Sequence, residues 1–435
     1  MKLIYVAIDG MGDLPIKALD NKTPLEAAET PNLNALAQNG KTGLMYTVGK
    51  GIAPESDAAV ISLLGYDPFK YSTGRGAIEA VGAGIPIKDG DLALRCNFAT
   101  VSENNNLLDR RAGRTLTTQE ATELANITNQ EIKLEKYPAT FELKATLGHR
   151  AVLVIRSKDK PLSGKIYNSD PAYAIVNGLG VAQSKVDMTL KTVTPLDDTE
   201  SAKNAAKLTN EIIIKTHELW EEHPINIKRA AEGKLKANVL LTRDASSIVP
   251  KFFNINQYYN VKFAALADMH TELGIAKLAG MDATLLPPPS GDLQHDYDVR
   301  VKTLIDMLPE HDCFYIHLKG PDEPGHDGNY KLKTQIIEAV DKYFFGPLLK
   351  QISLKDTLIC VTTDHATPCD LKIHSDTPVP LLISGNSLGK EKEIKFCERE
   401  CAKGSLDPLE HAYIVMPKLI EQCKNNQPSN IFPQF

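Results

Sequence analysis

Paired thiols are missing from this 435-residue chain: its seven cysteines, Cys96, Cys313, Cys360, Cys369, Cys397, Cys401 and Cys423, are odd in number and contain no Cys-x-x-Cys pair. That argues against a disulfide framework or a structural zinc site and for reduced thiols in the cytoplasm. Cys397 and Cys401 share a helical i, i+4 spacing but have no histidine near them in sequence, so they read as buried thiols. Long apolar runs are absent too. No stretch approaches the roughly 18 residues of a membrane span, and Met1 to Ile8 is short for a signal peptide and is broken by Asp9. An excess of basic charge is also lacking, with 49 Lys and Arg against 55 Asp and Glu and a formal charge of −6. Nothing global therefore draws the chain to nucleic acid or an anionic membrane, and no aromatics interleave with its basic residues. The expectation is a soluble cytoplasmic protein whose anion sites are built locally.

What is present is a globular composition, 42% hydrophobic and 24% charged, with no internal repeat. At about 150 residues per domain the length suggests two domains, or one with a large insertion. Short β-branched runs stop abruptly at polar residues: Leu3 to Ile8, Val239 to Thr242, Cys313 to Leu318, Leu358 to Thr363 and Val379 to Ser384. Such runs fit strands buried on both faces, as in a parallel sheet. Helical signals lie between them. Thr23-Pro24-Leu25-Glu26 reads as a capping box with proline at the first helical position, and Pro31 to Asn39 as a helix ended by Gly40. Ala202 to Glu222, Val299 to Leu308, Tyr330 to Gln351 and Glu410 to Gln422 are also predicted helical. From about Ala80 to Pro195 the chain is richer in Thr, Asn and Lys, with alternating runs at Leu92 to Ala99 and Ala151 to Ile155. This predicts an α/β fold made of residues 1–78 and 196–435 with a smaller α/β domain, 79–195, inserted between them.

In parallel α/β sheets ligands gather beyond the carboxyl ends of the strands, and the acidic and imidazole residues cluster there. Asp9 follows the first strand, Asp322 and His326 another, Asp364-His365 a third, and His374 lies in the next loop. Three carboxylates and three imidazoles suit a pair of divalent ions such as Mn²⁺, Mg²⁺, Co²⁺ or Zn²⁺. Each piece alone has a plainer reading: a turn or helix-cap aspartate, a surface or core histidine. Ser56 precedes the apolar run Ala58 to Leu64, so that Ser56 or Asp57 could simply cap that helix. A serine there also lies beside free N–H groups and the positive end of the helix dipole, where a phosphoryl group is stabilised. A metal on its oxygen would make it a nucleophile. Arginine is the third feature: Arg75 in Thr73-Gly74-Arg75-Gly76, Arg95 in Arg95-Cys96-Asn97-Phe98-Ala99-Thr100, and Arg110, Arg111 and Arg114 in Asp109-Arg110-Arg111-Ala112-Gly113-Arg114. These are either surface charge or bidentate grips for carboxylate and phosphate.

Taken together, the sequence resembles the archaeal-type cofactor-independent phosphoglycerate mutases of the alkaline phosphatase superfamily. The resemblance runs end to end: Asp9-Gly10-x-Gly12-Asp13, Thr23-Pro24-Leu25-Glu26-Ala27-Ala28, Ser56-Asp57, Leu63-Leu64-Gly65-Tyr66-Asp67-Pro68 and Gly74-Arg75-Gly76. It continues through the Arg95 and Asp109 motifs to Asp322-Glu323-x-Gly325-His326-Asp327-Gly328, Asp364-His365-x-Thr367-Pro368, His374-x-Asp376 and Cys401-Ala402-Lys403-Gly404. It implies an alkaline-phosphatase-like layered domain with a mostly parallel central sheet, and an inserted transferase domain that closes over the substrate. It further implies one metal on Asp9, Ser56, Asp364 and His365 and a second on Asp322, His326 and His374. The implied reaction is the glycolytic and gluconeogenic isomerisation of 3-phosphoglycerate and 2-phosphoglycerate without bisphosphoglycerate, by way of a phosphoserine. Arg75 and the insertion's Arg95, Arg110, Arg111 and Arg114 would hold the small-molecule substrate, Arg110 also being catalytic, and Asp109 beside it would act as general acid/base.

Two segments depart from the family's usual pattern, Gly74-Arg75-Gly76-Ala77-Ile78-Glu79-Ala80 and Leu266 to Lys277. The same metal site could also serve a phosphatase or another phosphoryl transferase, with water or another alcohol as acceptor. An inactive metabolite-binding homologue is a reading from a different class, against which the complete ligand set argues. A homo-oligomer is left open.

Overall fold

The computed structural model describes residues 1–102, 104–176, 179–182, 187–385, 388 and 394–425. The chain divides into two units, one of Met1–Tyr71 with Phe252 onward, the other of Ser72–Lys251. The first unit carries an eight-stranded, mostly parallel sheet, as the sequence predicts. At its centre lies Lys2–Ile8, flanked in parallel by Cys313–Leu318 and Thr357–Thr362. All three are buried almost throughout, because helices cover both faces of a parallel sheet. Phe263–Ala267 and Asp282–Leu285 extend the sheet on one side, also in parallel. On the other side Val379–Ser384 runs antiparallel, which corrects its reading as a parallel strand.

The second unit has an antiparallel sheet, with Leu92–Val101 between Arg150–Ser157 and Val239–Ser246. Its composition differs from the sequence expectation at both ends. Residues 72–78 and 196–251, assigned from sequence to the larger domain, belong to this unit. The helix Glu200–Glu221 sets Ala205, Leu208, Ile212 and Trp220 into one core with Leu94, Phe98, Leu153 and Leu241. The Val239 run is buried on both faces of this sheet, so its composition mimics a parallel strand while its pairing is antiparallel.

Helix limits follow local chemistry. Pro31–Gln38 and Glu200–Glu221 lie close to their predicted bounds. Leu293–Met307 starts six residues earlier than expected because Asp292 caps it, accepting the N–H groups of Gln294 and His295. Tyr330–Gln351 is helical but passes through a π segment at Val340–Phe345. Near Thr23 half a capping box forms: Thr23 Oγ1 accepts the Glu26 N–H, while its own proton goes to Glu398.

One buried ion pair ties the sheet-end loops together. Lys333, fully buried, donates to the Gly12 carbonyl (2.9 Å), Asp13 Oδ2 (2.8 Å) and the Thr367 carbonyl (2.9 Å). Removing one partner of such a pair leaves an uncompensated buried charge. Lys333→Met should therefore lower the unfolding free energy by about 3 kcal/mol in urea melts; a loss under about 1 kcal/mol would show that the pair contributes little.

Candidate active site

Three adjacent strands deliver the first half of the site, all within the first unit. Asp9 directly follows Lys2–Ile8, and its N–H donates to the Leu318 carbonyl of the neighbouring strand. Asp364 lies two residues past Thr357–Thr362, with Oδ1 accepting the N–H groups of Gly10 and His365, each at 3.0 Å. Gly10 has φ +61°, and a Cβ there would fall 2.6 Å from the Asp322 Cα, so this turn requires glycine. Asp322 and His326 share the helix Asp322–Asp327, which brings His326 Nε2 to 3.4 Å from Asp322 Oδ1. Ser56 is the first residue of the helix Ser56–Leu63. Glu55 occupies the cap position, without a side-chain hydrogen bond to the helix's first turn, so neither Ser56 nor Asp57 serves as the cap.

The imidazoles share one arrangement. His374 Nδ1 donates to the Pro54 carbonyl (2.8 Å), and His326 Nδ1 to the Lys372 carbonyl (3.0 Å). Thr367 spends its hydroxyl proton on Asp322 Oδ1 (2.6 Å), so His365 Nδ1 is the donor in its 3.0 Å contact with Thr367 Oγ1. His365 Nε2 is then an acceptor, and it faces Ser56 Oγ at 3.3 Å, Asp364 Oδ2 at 3.3 Å and Asp9 Oδ1 at 3.4 Å. A lone pair aimed at two carboxylate oxygens, each imidazole tethered through its other nitrogen, is the pattern of a metal site. Asp9 Oδ1 is buried with no hydrogen-bond donor, which a cation would satisfy.

The electrostatics agree. Burial, then the charges of Asp364 and Asp322, push the Asp9 carboxyl well above its ordinary range, although Lys319 opposes them. Burial pushes His365 down to about 4, keeping it neutral. Against its burial, the hydrogen bond to Asp322 and the charge of Glu55 lift His374 to about 10, so a proton there balances the carboxylates. Oxygen and nitrogen donors, with no thiolate, suit a divalent ion of borderline or hard character.

The seven sequence-predicted residues Asp9, Ser56, Asp322, His326, Asp364, His365 and His374 thus come together, with a different grouping from the one the resemblance implies. Asp322, His365 and His374 form one set whose ligand atoms lie within 4.8 Å of one another, and Asp9, His317 and Asp364 form another. His365 reaches both. Sequence reasoning missed His317, Lys319 and Glu272. The first two lie at the end of the recognised run Cys313 to Leu318, a usable signal, whereas Glu272 lies in the helix His270–Leu278, which no sequence motif marks.

The arginines gather in the second unit. Asp170, fully buried, accepts Arg110 Nε and Nη2, each at 2.6 Å, and Arg243 Nη1 at 3.1 Å. Both guanidinium groups lie over the Tyr173 ring. Glu79 Oε1 lies 2.9 Å from Arg75 Nε and 3.0 Å from Arg95 Nε. Burial, followed by the charges of Arg114 and Arg110, lowers the pKa of Arg111. Asp109 Oδ1 accepts the Arg111 N–H at 2.6 Å. Ala112, Gly113 and Arg114 all have positive φ, as does Asp244 next to Arg243. Such strain persists where surroundings over-determine the backbone, and it concentrates at ligand sites. Arg243 is absent from the predicted set, although it follows the Val239 to Thr242 run directly.

Known proteins are similar to this chain over most of its length. A family model described as 2,3-bisphosphoglycerate-independent phosphoglycerate mutase matches residues 37–226. The enzyme of that name from Aeropyrum pernix is 40% identical over 424 residues, 97% of this chain and 99% of that one. The one from Methanobrevibacter smithii is 39% identical over 410 residues, 93% of this chain and 94% of its own. The solved cofactor-independent phosphoglycerate mutase of Thermoplasma acidophilum has a TM-score of 0.60 and 30% identity, covering 97% of this chain and 100% of that one. With this identity over nearly the whole of both chains, the protein belongs to the 2,3-bisphosphoglycerate-independent phosphoglycerate mutase family.

Proposed function

We propose that the chain interconverts 3-phosphoglycerate and 2-phosphoglycerate without a bisphosphoglycerate cofactor, through a phosphoserine at Ser56. The observation that carries the reading is Ser56 Oγ, at a helix N-terminus and 3.3 Å from His365 Nε2 among buried carboxylates. Two divalent ions, Mn²⁺, Mg²⁺, Co²⁺ or Zn²⁺, fit the donors: one would be held in the set that contains Asp9 and Asp364, the other in the set that contains Asp322 and His374, with His365 beside both and Ser56 and His326 adjoining. When bound they would supply positive charge to the serine oxygen and the phosphoryl group.

The chain's own residues do the rest. Ser56 Oγ, its proton lost before the substrate reacts, attacks phosphorus, the bond to the substrate's C3 oxygen breaks, and that oxygen takes the proton of Asp109 to leave glycerate. The glycerate 2-hydroxyl then returns its proton to Asp109 as it attacks the phosphoserine, releasing 2-phosphoglycerate and the deprotonated Ser56 oxygen that began the cycle. N–H groups in the first turn of Ser56–Leu63 are oriented to stabilise the phosphoryl oxygens. Arg75, Arg95, Arg110, Arg111, Arg114 and Arg243 form the anion grip for glycerate, with Asp170 and Glu79 fixing the forks of four of them. Asp109 serves as the proton acceptor and donor for the glycerate hydroxyls.

Intact mass spectrometry after mixing with 3-phosphoglycerate should show one added phosphoryl group, absent in Ser56→Ala; unmodified protein during turnover, or full activity in that variant, contradicts the covalent route. Exhaustive chelation should abolish activity in a coupled assay without bisphosphoglycerate, and added Mn²⁺ should restore it. Arg243→Lys keeps the charge but loses the planar fork, so the KM for 3-phosphoglycerate should rise about tenfold; an unchanged KM would remove Arg243 from the grip.

A further inference from the structure

Behind Asp9 and Asp364 lies a ring of buried charge that neither the family resemblance nor the proposed reaction assigns. Lys319 Nζ is 2.9 Å from Asp9 Oδ2 and 3.0 Å from Glu272 Oε1. Glu272 Oε1 is also 3.6 Å from His317 Nδ1, and His317 Nε2 is 3.2 Å from Asp364 Oδ2. The order is therefore Asp9, Lys319, Glu272, His317, Asp364, closing where Asp9 and Asp364 meet at His365 Nε2. The Glu272 side chain is 1% exposed and that of His317 is fully buried, whereas that of Lys319 is 23% exposed, so solvent screens the ring only on the lysine side.

Glu272 is the member with no role of its own. Neither of its oxygens has a hydrogen-bond donor in good geometry, and His317 Nδ1 is likewise without a partner by that measure. An isolated carboxylate buried in this way is costly. It persists because it lies in the first turn of the helix His270–Leu278, where the dipole favours an anion, and because a cation faces it. Without Glu272, Lys319 would be held by Asp9 alone, as a tightly bound cation competing with anything else that needs that carboxylate.

We propose that Glu272 is a positioning residue: it holds Lys319 between two carboxylates and His317 against Asp364, leaving Asp9 and Asp364 oriented for a divalent ion. This rests on the metal-dependent reading above and deepens it.

The test is calorimetric titration of the metal-free, full-length protein with Mn²⁺ alone, no substrate being present. Glu272→Gln keeps the shape and removes the charge. It should weaken Mn²⁺ binding about tenfold, the lower end of the effect of groups that orient metal ligands, with thermal melting of the metal-free protein close to the parent's. In a Lys319→Met background, or Lys319→Gln if the first does not fold, adding Glu272→Gln should change the affinity less than threefold, because Glu272 acts chiefly through Lys319 at 3.0 Å, its contact with His317 being the longer one at 3.6 Å. Unchanged Mn²⁺ affinity in Glu272→Gln overturns the proposal, as does a tenfold loss that persists undiminished without Lys319. Failure of the mutase reading would show separately, as parent protein that binds Mn²⁺ but never carries a phosphoserine.

Discussion

Everything in the first unit answers to the crowding of the buried Asp9 and Asp364 and the partly exposed Asp322 around His365. Three carboxylates so crowded repel, and each must find positive charge or a proton. The molecule answers with the ammonium of Lys319 on Asp9, imidazole against Asp364, and a His374 lifted to about 10 beside Asp322. These groups hold the site together, yet Asp9 Oδ1 has no hydrogen-bond partner although it lies 3.4 Å from the His365 lone pair. That residual demand for a cation is what makes a divalent ion fit and what sets a serine oxygen in a strongly polarised place.

The second unit solves a complementary problem. There the crowded charges are positive, and the balancing carboxylates are few and individually shared: Asp170 between Arg110 and Arg243, Glu79 between Arg75 and Arg95. Sharing one carboxylate between two guanidinium groups fixes their planes while leaving net positive charge, which suits a carboxylate and phosphate ligand. A chain with a formal charge of −6 thus carries a concentrated cationic site, because charge distribution rather than total charge decides what binds.

Much of this was legible in the sequence, for physical reasons that also explain the misses. Asp9, Asp364 and the pair Asp322 and His326 were visible because buried parallel strands are apolar runs and their carboxyl ends are abrupt polar stops. Lys319 and Arg243 bore the same signature but were read only as punctuation. The Val239 run was assigned to the wrong sheet because burial on both faces erases the alternation that usually distinguishes antiparallel strands. That error moved a domain boundary by some fifty residues, since the helix Glu200–Glu221 packs with that strand. Glu272 and Asp170 left no trace, because a single acidic residue becomes meaningful only when folding brings a cation to it.

The central claim is that the phosphoryl group passes through Ser56 and back to the same glycerate without reaching water. Phosphorus NMR of 3-phosphoglycerate with the protein and Mn²⁺, in the absence of bisphosphoglycerate, tests it most directly. The account predicts that the starting resonance relaxes to a mixture with 2-phosphoglycerate while inorganic phosphate stays at the level seen without protein, and that Ser56→Ala leaves the substrate unchanged. Accumulation of inorganic phosphate in place of 2-phosphoglycerate would contradict it.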